Sequence, residues 1–284
     1  MTTTIARRDS FSSRPGSLTN CAPMTDGRSE VGEDAFLGGR LRLYQPLSGH
    51  RAGHDAMLLA AATPGRPGDR IVDFGAGVGA AGLAVATRID NVDLVLVERD
   101  EILAVLARRN AVLNSLAARV CILDVTAEAE AFARLGLGPD TADVVLMNPP
   151  FNDVLRHRPS PDQGRRAAHV GEPSSLDIWT HAARRMLKSG GVLSLIWRSD
   201  GLAEVLGALG RGFGGIAIRP VHPDPRKPAI RVLVRAVKGS RAPLRLCPGL
   251  MLIDEAGRPA KEAQDALAGG QALASALSST GGFQ

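Results

Sequence analysis

Asp69-Arg70-Ile71-Val72-Asp73-Phe74-Gly75-Ala76-Gly77-Val78-Gly79 passes from a short apolar run into glycines at every second position. Ile71 and Val72 suit a buried strand, Asp73 closes it, and Gly75, Gly77 and Gly79 can take backbone angles or close contacts that a side chain forbids. The pattern predicts a strand, a tight turn and a helix start. Such a turn aims backbone N–H groups and the positive end of a helix at the carboxyl edge of a parallel sheet, where nucleotide-like ligands bind. The next apolar run, Val92 to Val97, ends at Glu98, 19 residues past Gly79. That is close to the offset of roughly 20 at which a carboxylate holds a ribose diol. These two points leave the cofactor open, a nicotinamide dinucleotide included.

Leu146-Met147-Asn148-Pro149-Pro150-Phe151, at the end of a later apolar run, narrows the chemistry. Two prolines fix an extended backbone and remove N–H donors, which leaves carbonyl oxygens free to accept. The Asn148 amide oxygen and the Pro149 carbonyl can take the hydrogens of a planar amine, while the Phe151 ring can stack on the heteroaromatic ring that carries it. Hydride transfer has no need of this tetrapeptide. Group transfer to a conjugated, weakly nucleophilic nitrogen does, because such a nitrogen has mainly to be positioned.

Strands and helices alternate outward from the glycine loop. Ala35 to Tyr44 suggests a small hairpin or lid strand ended by Gln45-Pro46, and Asp55 to Ala62 a helix stopped by Thr63-Pro64-Gly65. Helices are expected around Val78 to Thr87, where Ala80 and Ala81 permit close approach to the sheet, and over Glu101 to Leu116. The second has Ile102, Leu103, Val105, Leu106, Val112, Leu113 and Leu116 as a broad apolar face, with Asn110 and Asn114 on another side. Val120 to Leu123 reads as a strand ending at Asp124, followed by a weak helix from Ala127 to Leu135 and a strand from Ala142 to Met147. A helix over Ser174 to Leu187, with Trp179 as packing, ends at Lys188-Ser189-Gly190-Gly191. Strands at Val192 to Trp197, Ile216 to Ile218 and Ile230 to Val234 and a helix at Leu202 to Leu209 complete the series. The alternation implies a doubly wound α/β sheet. Residues 1–32 are a tail rich in Ser, Thr, Gly, Pro and Arg with no packed structure expected, 33–68 a lid and helix, 69–240 the core. Residues 241–284 form a short extension with a strand near Leu250 to Ile253 and an Ala-rich helix from about Glu262 to Leu277.

The 284 residues carry 44% hydrophobic side chains and a formal charge of +5, which favours contact with a polyanion. Between Arg219 and Arg245 eight basic residues face one acid, Asp224, a local surplus larger than that of the whole chain. Arg231 and Arg235 alternate with Leu233 along the last strand, so a phosphate-contact surface is expected there. Asn152 to Pro173 is a polar loop long enough to serve as a lid or binding element. Its Arg156, Arg158, Arg165 and Arg166 are candidate phosphate contacts, and its His169 an orienting or packing group rather than a base. Cys21, Cys121 and Cys247 stand apart and the histidines make no zinc spacing, so no metal is expected. No apolar run approaches the roughly 18 residues needed to cross a membrane, and Met1 to Asn20 lacks an apolar signal core, so a cytoplasmic location is expected.

On these residues the chain resembles the bacterial tRNA(Val) adenine N6-methyltransferases, within the class I methyltransferases that carry an Asn-Pro-Pro-aromatic motif. The resemblance runs from about Asp34 to about Gly257. It includes Phe36 to Arg40, Gln45-Pro46, Gly49-His50-Arg51, Asp55, the glycine loop, Asn148 to Phe151, Ala168-His169 and Arg219 to Gly239. It implies a Rossmann-like fold with a mostly parallel seven-stranded sheet whose last strand is antiparallel, S-adenosyl-L-methionine as cofactor, and RNA, most simply a tRNA anticodon loop, as substrate. Asp73, Gly75, Gly77, Gly79, Glu98, Asp124 and Asn148 would then serve the cofactor. Asn148, Pro149, Pro150 and Phe151 would serve catalysis, and Arg51, with the four loop arginines and Arg231 and Arg235, the substrate. Phe151 stands where tyrosine is commonest, which keeps the ring and loses the hydroxyl. Alternatives are a protein glutamine N5-methyltransferase, a ribosomal RNA or DNA amino-methyltransferase, and a noncatalytic RNA-binding protein that retains the fold.

Overall fold

The computed structural model describes residues 30–48, 51–151, 174–210 and 212–273. The tail up to residue 29, the loop over 152–173 with its arginines and His169, and residues 274–284 lie outside the described residues.

A hairpin of β1 (Val31–Phe36) and β2 (Leu41–Pro46) opens the chain and pairs Phe36 with Leu41 around Gly38 and Gly39, both at positive φ. Then follow α1 (His54–Ala62), β3 (Arg70–Phe74), α2 (Ala80–Arg88), β4 (Asp93–Glu98), α3 (Glu101–Leu113) and β5 (Ala118–Ile122). Next come α4 (Ala129–Arg134), β6 (Ala142–Met147), α5 (Ser175–Met186), β7 (Leu187–Arg198) and α6 (Leu202–Leu209). The last elements are β8 (Phe213–His222), β9 (Arg231–Lys238), β10 (Arg245–Leu246), β11 (Leu250–Met251) and α7 (Lys261–Leu267).

The main sheet runs β10-β8-β9-β7-β6-β3-β4-β5, with β11 also on β8. Its central seven strands, β3 to β9, are those expected, and β9 runs antiparallel to both β7 and β8. The expected count of seven rises to nine because β10 pairs with Ala217 and Ile218 and β11 with Val221 and His222. The chain past β9 thereby covers an edge of β8 that would otherwise present unpaired backbone groups. β8 and β9 are also longer than the apolar runs at Ile216 and Ile230 suggested, since glycines and arginines continue the ladder.

Strand residues alternate between two cores. Ile71, Leu94, Leu96, Val144 and Leu146 join α1, α2 and α3 on one face, and Val72, Phe74, Val95, Val97, Val145 and Met147 join α5 and α6 on the other. Burial on both faces is what turns these strands into continuous apolar runs. The close approach of α2 also depends on Gly82, beside the buried Ala80 and Ala81: a Cβ there would stand 2.5 Å from Leu96 and 3.1 Å from the Asp73 carboxylate.

The apolar face of α3 is narrower than its composition suggested. Ile102, Val105 and Val112 are exposed, and the buried side consists of Ala104, Leu106, Ala107, Ala111 and Asn110. Asn110 accepts from Tyr44 N–H at 2.7 Å and donates to the carbonyls of Tyr44 (3.1 Å) and Val78 (3.0 Å). Asn114 does the same for Arg42, at 2.9 and 2.7 Å. Four helical residues rise about 6 Å and two strand residues about 6.6 Å, so amides one turn apart meet alternate residues of β2 like a neighbouring strand. Asn110→Ala strands one buried and two part-buried backbone groups, and we expect a loss of about 2–4 kcal/mol. In thermal melts this lowers Tm by several degrees; an unchanged Tm would remove the asparagine from the anchoring of the hairpin.

Candidate active site

Register brings the marked residues together. Phe74 at the end of β3 lies opposite Val97 of β4 and Met147 of β6, so Gly75, Glu98 and Asn148 leave the sheet side by side at its carboxyl edge. Glu98 pairs with Ile122 of β5, and the Leu123 N–H donates to the Glu98 carbonyl at 3.0 Å, which sets Asp124 next in line.

Gly75, Gly77 and Gly79 have φ of 65°, 57° and 87°, a region that side chains other than glycine rarely adopt. A Cβ on Gly75 would also stand 2.5 Å from the Trp179 ring, so this tryptophan packs against the loop from α5. At Gly77 a Cβ would meet nothing within 4 Å among the described residues, so this glycine borders space open to them and is required by its backbone angle. Buried Glu98 braces the loop: one carboxylate oxygen accepts from Gly77 N–H at 2.7 Å and the other from Asp100 N–H at 2.9 Å. Asp124 accepts from the Thr126 N–H and hydroxyl, both at 2.8 Å, and pairs with Arg99 at 3.3 Å. Burial by itself would raise its carboxyl, but the bonds from Thr126 and Arg99 outweigh this and hold it below the usual carboxylate range. Asn148 is half-buried, Pro149 buried, Pro150 exposed and Phe151 half-buried. Among the described residues the Asn148 amide has no hydrogen-bond partner. Open space beside Gly77, an acidic group at the end of β4 and an uncommitted amide at the end of β6 fit a nucleoside-bearing cofactor laid along this edge.

The family model described as the methyltransferase small domain matches residues 48–163. Among solved structures, one described as a predicted O-methyltransferase from Agrobacterium tumefaciens is 35% identical, with a TM-score of 0.64 and coverage of 77% of this chain and 97% of that one. The chain belongs to the class I S-adenosylmethionine-dependent methyltransferases. A SAM-dependent O-methyltransferase from Thermotoga maritima is also similar, at 20% identity, a TM-score of 0.46 and coverage of 68% of each chain. A search of the curated proteins found no match.

In this methyltransferase several residues expected at the ligand are tied into the scaffold. Asp73 is 2% exposed and accepts from Gly82 N–H at 2.8 Å, so its carboxylate ties the glycine-loop strand to α2. Burial pushes its pKa up to about 7, the Gly82 bond opposes this, and the charge of Glu98 adds to it. A carboxyl whose folded pKa exceeds its unfolded value of 3.8 stabilises most below that value, and the contribution is lost as pH rises through about 7. Comparing urea midpoints at pH 5 and pH 8, we expect Asp73→Asn to gain stability relative to wild type by a few kcal/mol as pH rises; a constant difference would contradict the buried, proton-holding carboxyl.

Two arginines of the basic stretch from Arg219 to Arg245 are buried in the fold, while Arg226, Lys227 and Arg241 are exposed. Arg219 is 3% exposed and grips Glu262 of α7 with two bonds of 2.8 and 2.6 Å. Arg235, 7% exposed, donates to the Ala62 carbonyl at 2.5 Å, and Arg88 donates to those of Ala60 and Thr63. Two guanidiniums thus cap the end of α1, where helix carbonyls lack partners. Burial and then the neighbouring Arg88 lower the Arg235 pKa to about 10. Arg235 is thereby committed to the end of α1: it alternates with Leu233 as Arg231 does, and that face of β9 turns inward against α1. Lys227 pairs with Asp224 and Lys238 with Asp140. Arg51 pairs with Asp34, which also accepts from Gln45 at 2.6 Å, and Gln45 accepts from Ala52 N–H at 2.7 Å. This network joins the hairpin to the approach to α1. Arg231 alone of the expected pair reaches Phe151. Among the described residues no helix is long and apolar enough to cross a membrane, and no three His, Cys, Asp or Glu are grouped to hold a metal ion.

Proposed function

We propose that this methyltransferase modifies the exocyclic N6 of adenine in RNA, in an unpaired loop such as a tRNA anticodon loop. The observation that carries this reading is the uncommitted Asn148 amide beside Gly75, followed by Pro149, Pro150 and Phe151. Bound S-adenosylmethionine supplies an electrophilic methyl group. Asn148 and the Pro149 carbonyl accept the two amine hydrogens and turn the nitrogen lone pair toward it, and Phe151 holds the base. Transfer to this nitrogen would break the carbon–sulfur bond and leave its electron pair with sulfur. The resulting cationic nitrogen gives its extra proton to water without a dedicated base. Glu98 and Asp124 offer acceptors for the ribose and adenine of the cofactor. A base already unpaired costs least to extrude, which favours a loop over a duplex.

The relative from Agrobacterium tumefaciens, described as an O-methyltransferase, favours a hydroxyl as acceptor. Two acceptor groups side by side match an amine, which has two hydrogens to place, better than a hydroxyl, which has one. With Arg219 and Arg235 buried and Arg231 held by Asp55, support for RNA rests on the acceptor motif and the net charge of +5. Transfer of labelled methyl to pools of unmodified small RNA, peptide and DNA, followed by nucleoside analysis, tests this. N6-methyladenosine in RNA is expected; label only in peptide, or on an oxygen, overturns it.

A further inference from the structure

Phe151 is met from two elements in addition to the motif it ends. The guanidinium carbon of Arg231, the first residue of β9, lies 4.8 Å from the centroid of the Phe151 ring. Trp197 of β7 meets the same ring edge-on, with centroids 5.3 Å apart and planes at 80°. Arg231 Nε donates to the carboxylate of Asp55, in the first turn of α1, at 2.9 Å, and Nη1 donates to the Ile230 carbonyl at 3.0 Å. Both charged side chains are 28% exposed, so the pair is screened from bulk water more than a surface pair is.

We propose that Arg231 is a positioning residue for methyl transfer that acts through Phe151: held by Asp55, it fixes the plane of the ring on which the acceptor stacks beside Asn148. This rests on Asn148 to Phe151 being the acceptor motif, but not on the acceptor being RNA. A guanidinium is planar and can lie on an aromatic face while its edge keeps a carboxylate partner, a combination that an ammonium cannot reproduce. A ring free to turn presents the acceptor in many orientations, and small misplacements of a reacting group cost rate rather than affinity. The role differs from the phosphate contact expected from the sequence, because the guanidinium is already committed to a carboxylate, a carbonyl and a ring.

The test is a kcat and KM comparison, on whichever pool the wild type labels, with S-adenosylhomocysteine binding and Tm measured alongside. Arg231→Leu is expected to lower kcat about 10- to 100-fold. KM for the pool, its salt dependence, cofactor affinity and Tm should stay near wild type. Arg231→Lys is expected to recover part of the rate, Asp55→Asn to lose rate in the same direction, and the Asp55→Asn, Arg231→Leu double variant to be no slower than Arg231→Leu. Without acceptor, ring-labelled phenylalanine spectra should show Phe151 turning faster in Arg231→Leu than in wild type. Wild-type kcat in Arg231→Leu, equal ring-turning rates, or a rate loss matched by lost cofactor affinity and Tm would each overturn the proposal. So would a change confined to KM and its salt slope, which marks a phosphate contact. A wild type that labels peptide and not RNA refutes the RNA reading, while the variant comparison on peptide still decides the role of Arg231.

Discussion

Replacing Asn148 with alanine is expected to lower kcat for methyl transfer by about 10²-fold or more, with S-adenosylhomocysteine affinity and Tm close to wild type. The amide has no partner among the described residues, so its removal orphans no group among them. The backbone of residue 148 stays fixed by the pairing of Met147 with Phe74 and Leu195. What disappears is one of two acceptors that orient the amine, and the nitrogen then presents its lone pair to the methyl group in only a fraction of encounters. Single-turnover kinetics with labelled cofactor separate this step from binding. Turnover at the wild-type rate would sink the assignment of the motif as an acceptor clamp.

The second large effect is expected at Glu98, where even the isosteric change to glutamine should weaken cofactor binding by about 10²-fold, or about 2.7 kcal/mol. Each carboxylate oxygen accepts from a backbone N–H, one on Gly77 and one on Asp100. A glutamine amide has one acceptor, so its NH2 must face one of these donors, and either the glycine loop or the start of α3 loses its tie. Glu98→Ala removes both bonds and the charge that would hold the ribose, and should be worse. Calorimetric titration with S-adenosylhomocysteine measures the loss; wild-type affinity in Glu98→Gln would show that the loop holds its shape without the carboxylate.

Individual residues show how legibility divides. The strand Ala142–Met147 and the helix Leu202–Leu209 have the bounds that their apolar runs suggested, because burial on one or both faces writes itself into local periodicity. The same rule overreached at α3, where Ile102, Val105 and Val112 extend the apolar face into solvent. The sequence places Asn110 and Asn114 only on another side from the apolar face, because nothing near them announces a strand that needs partners; β2 lies 66 and 72 residues away. Asp73 sits within the glycine signature, yet the side of the strand it faces depends on the pleat and on α2 folding back over it.

The amino-acid sequence by itself determined the alternating α/β series, the glycine loop with its positive backbone angles, the carboxylate ending β4 and the Asn148 to Phe151 motif. These rest on constraints local to a strand or a turn, which residue type and spacing record directly. Only the tertiary structure decided what the charged side chains do. Arg219, Arg231 and Arg235 look alike in a basic stretch, and the fold sends the first to Glu262, the second to Asp55 and Phe151 and the third to the end of α1. Asp55 is 176 residues from Arg231, and a charge carries no address for its partner until the sheet sets β9 beside β7 and packs α1 against both.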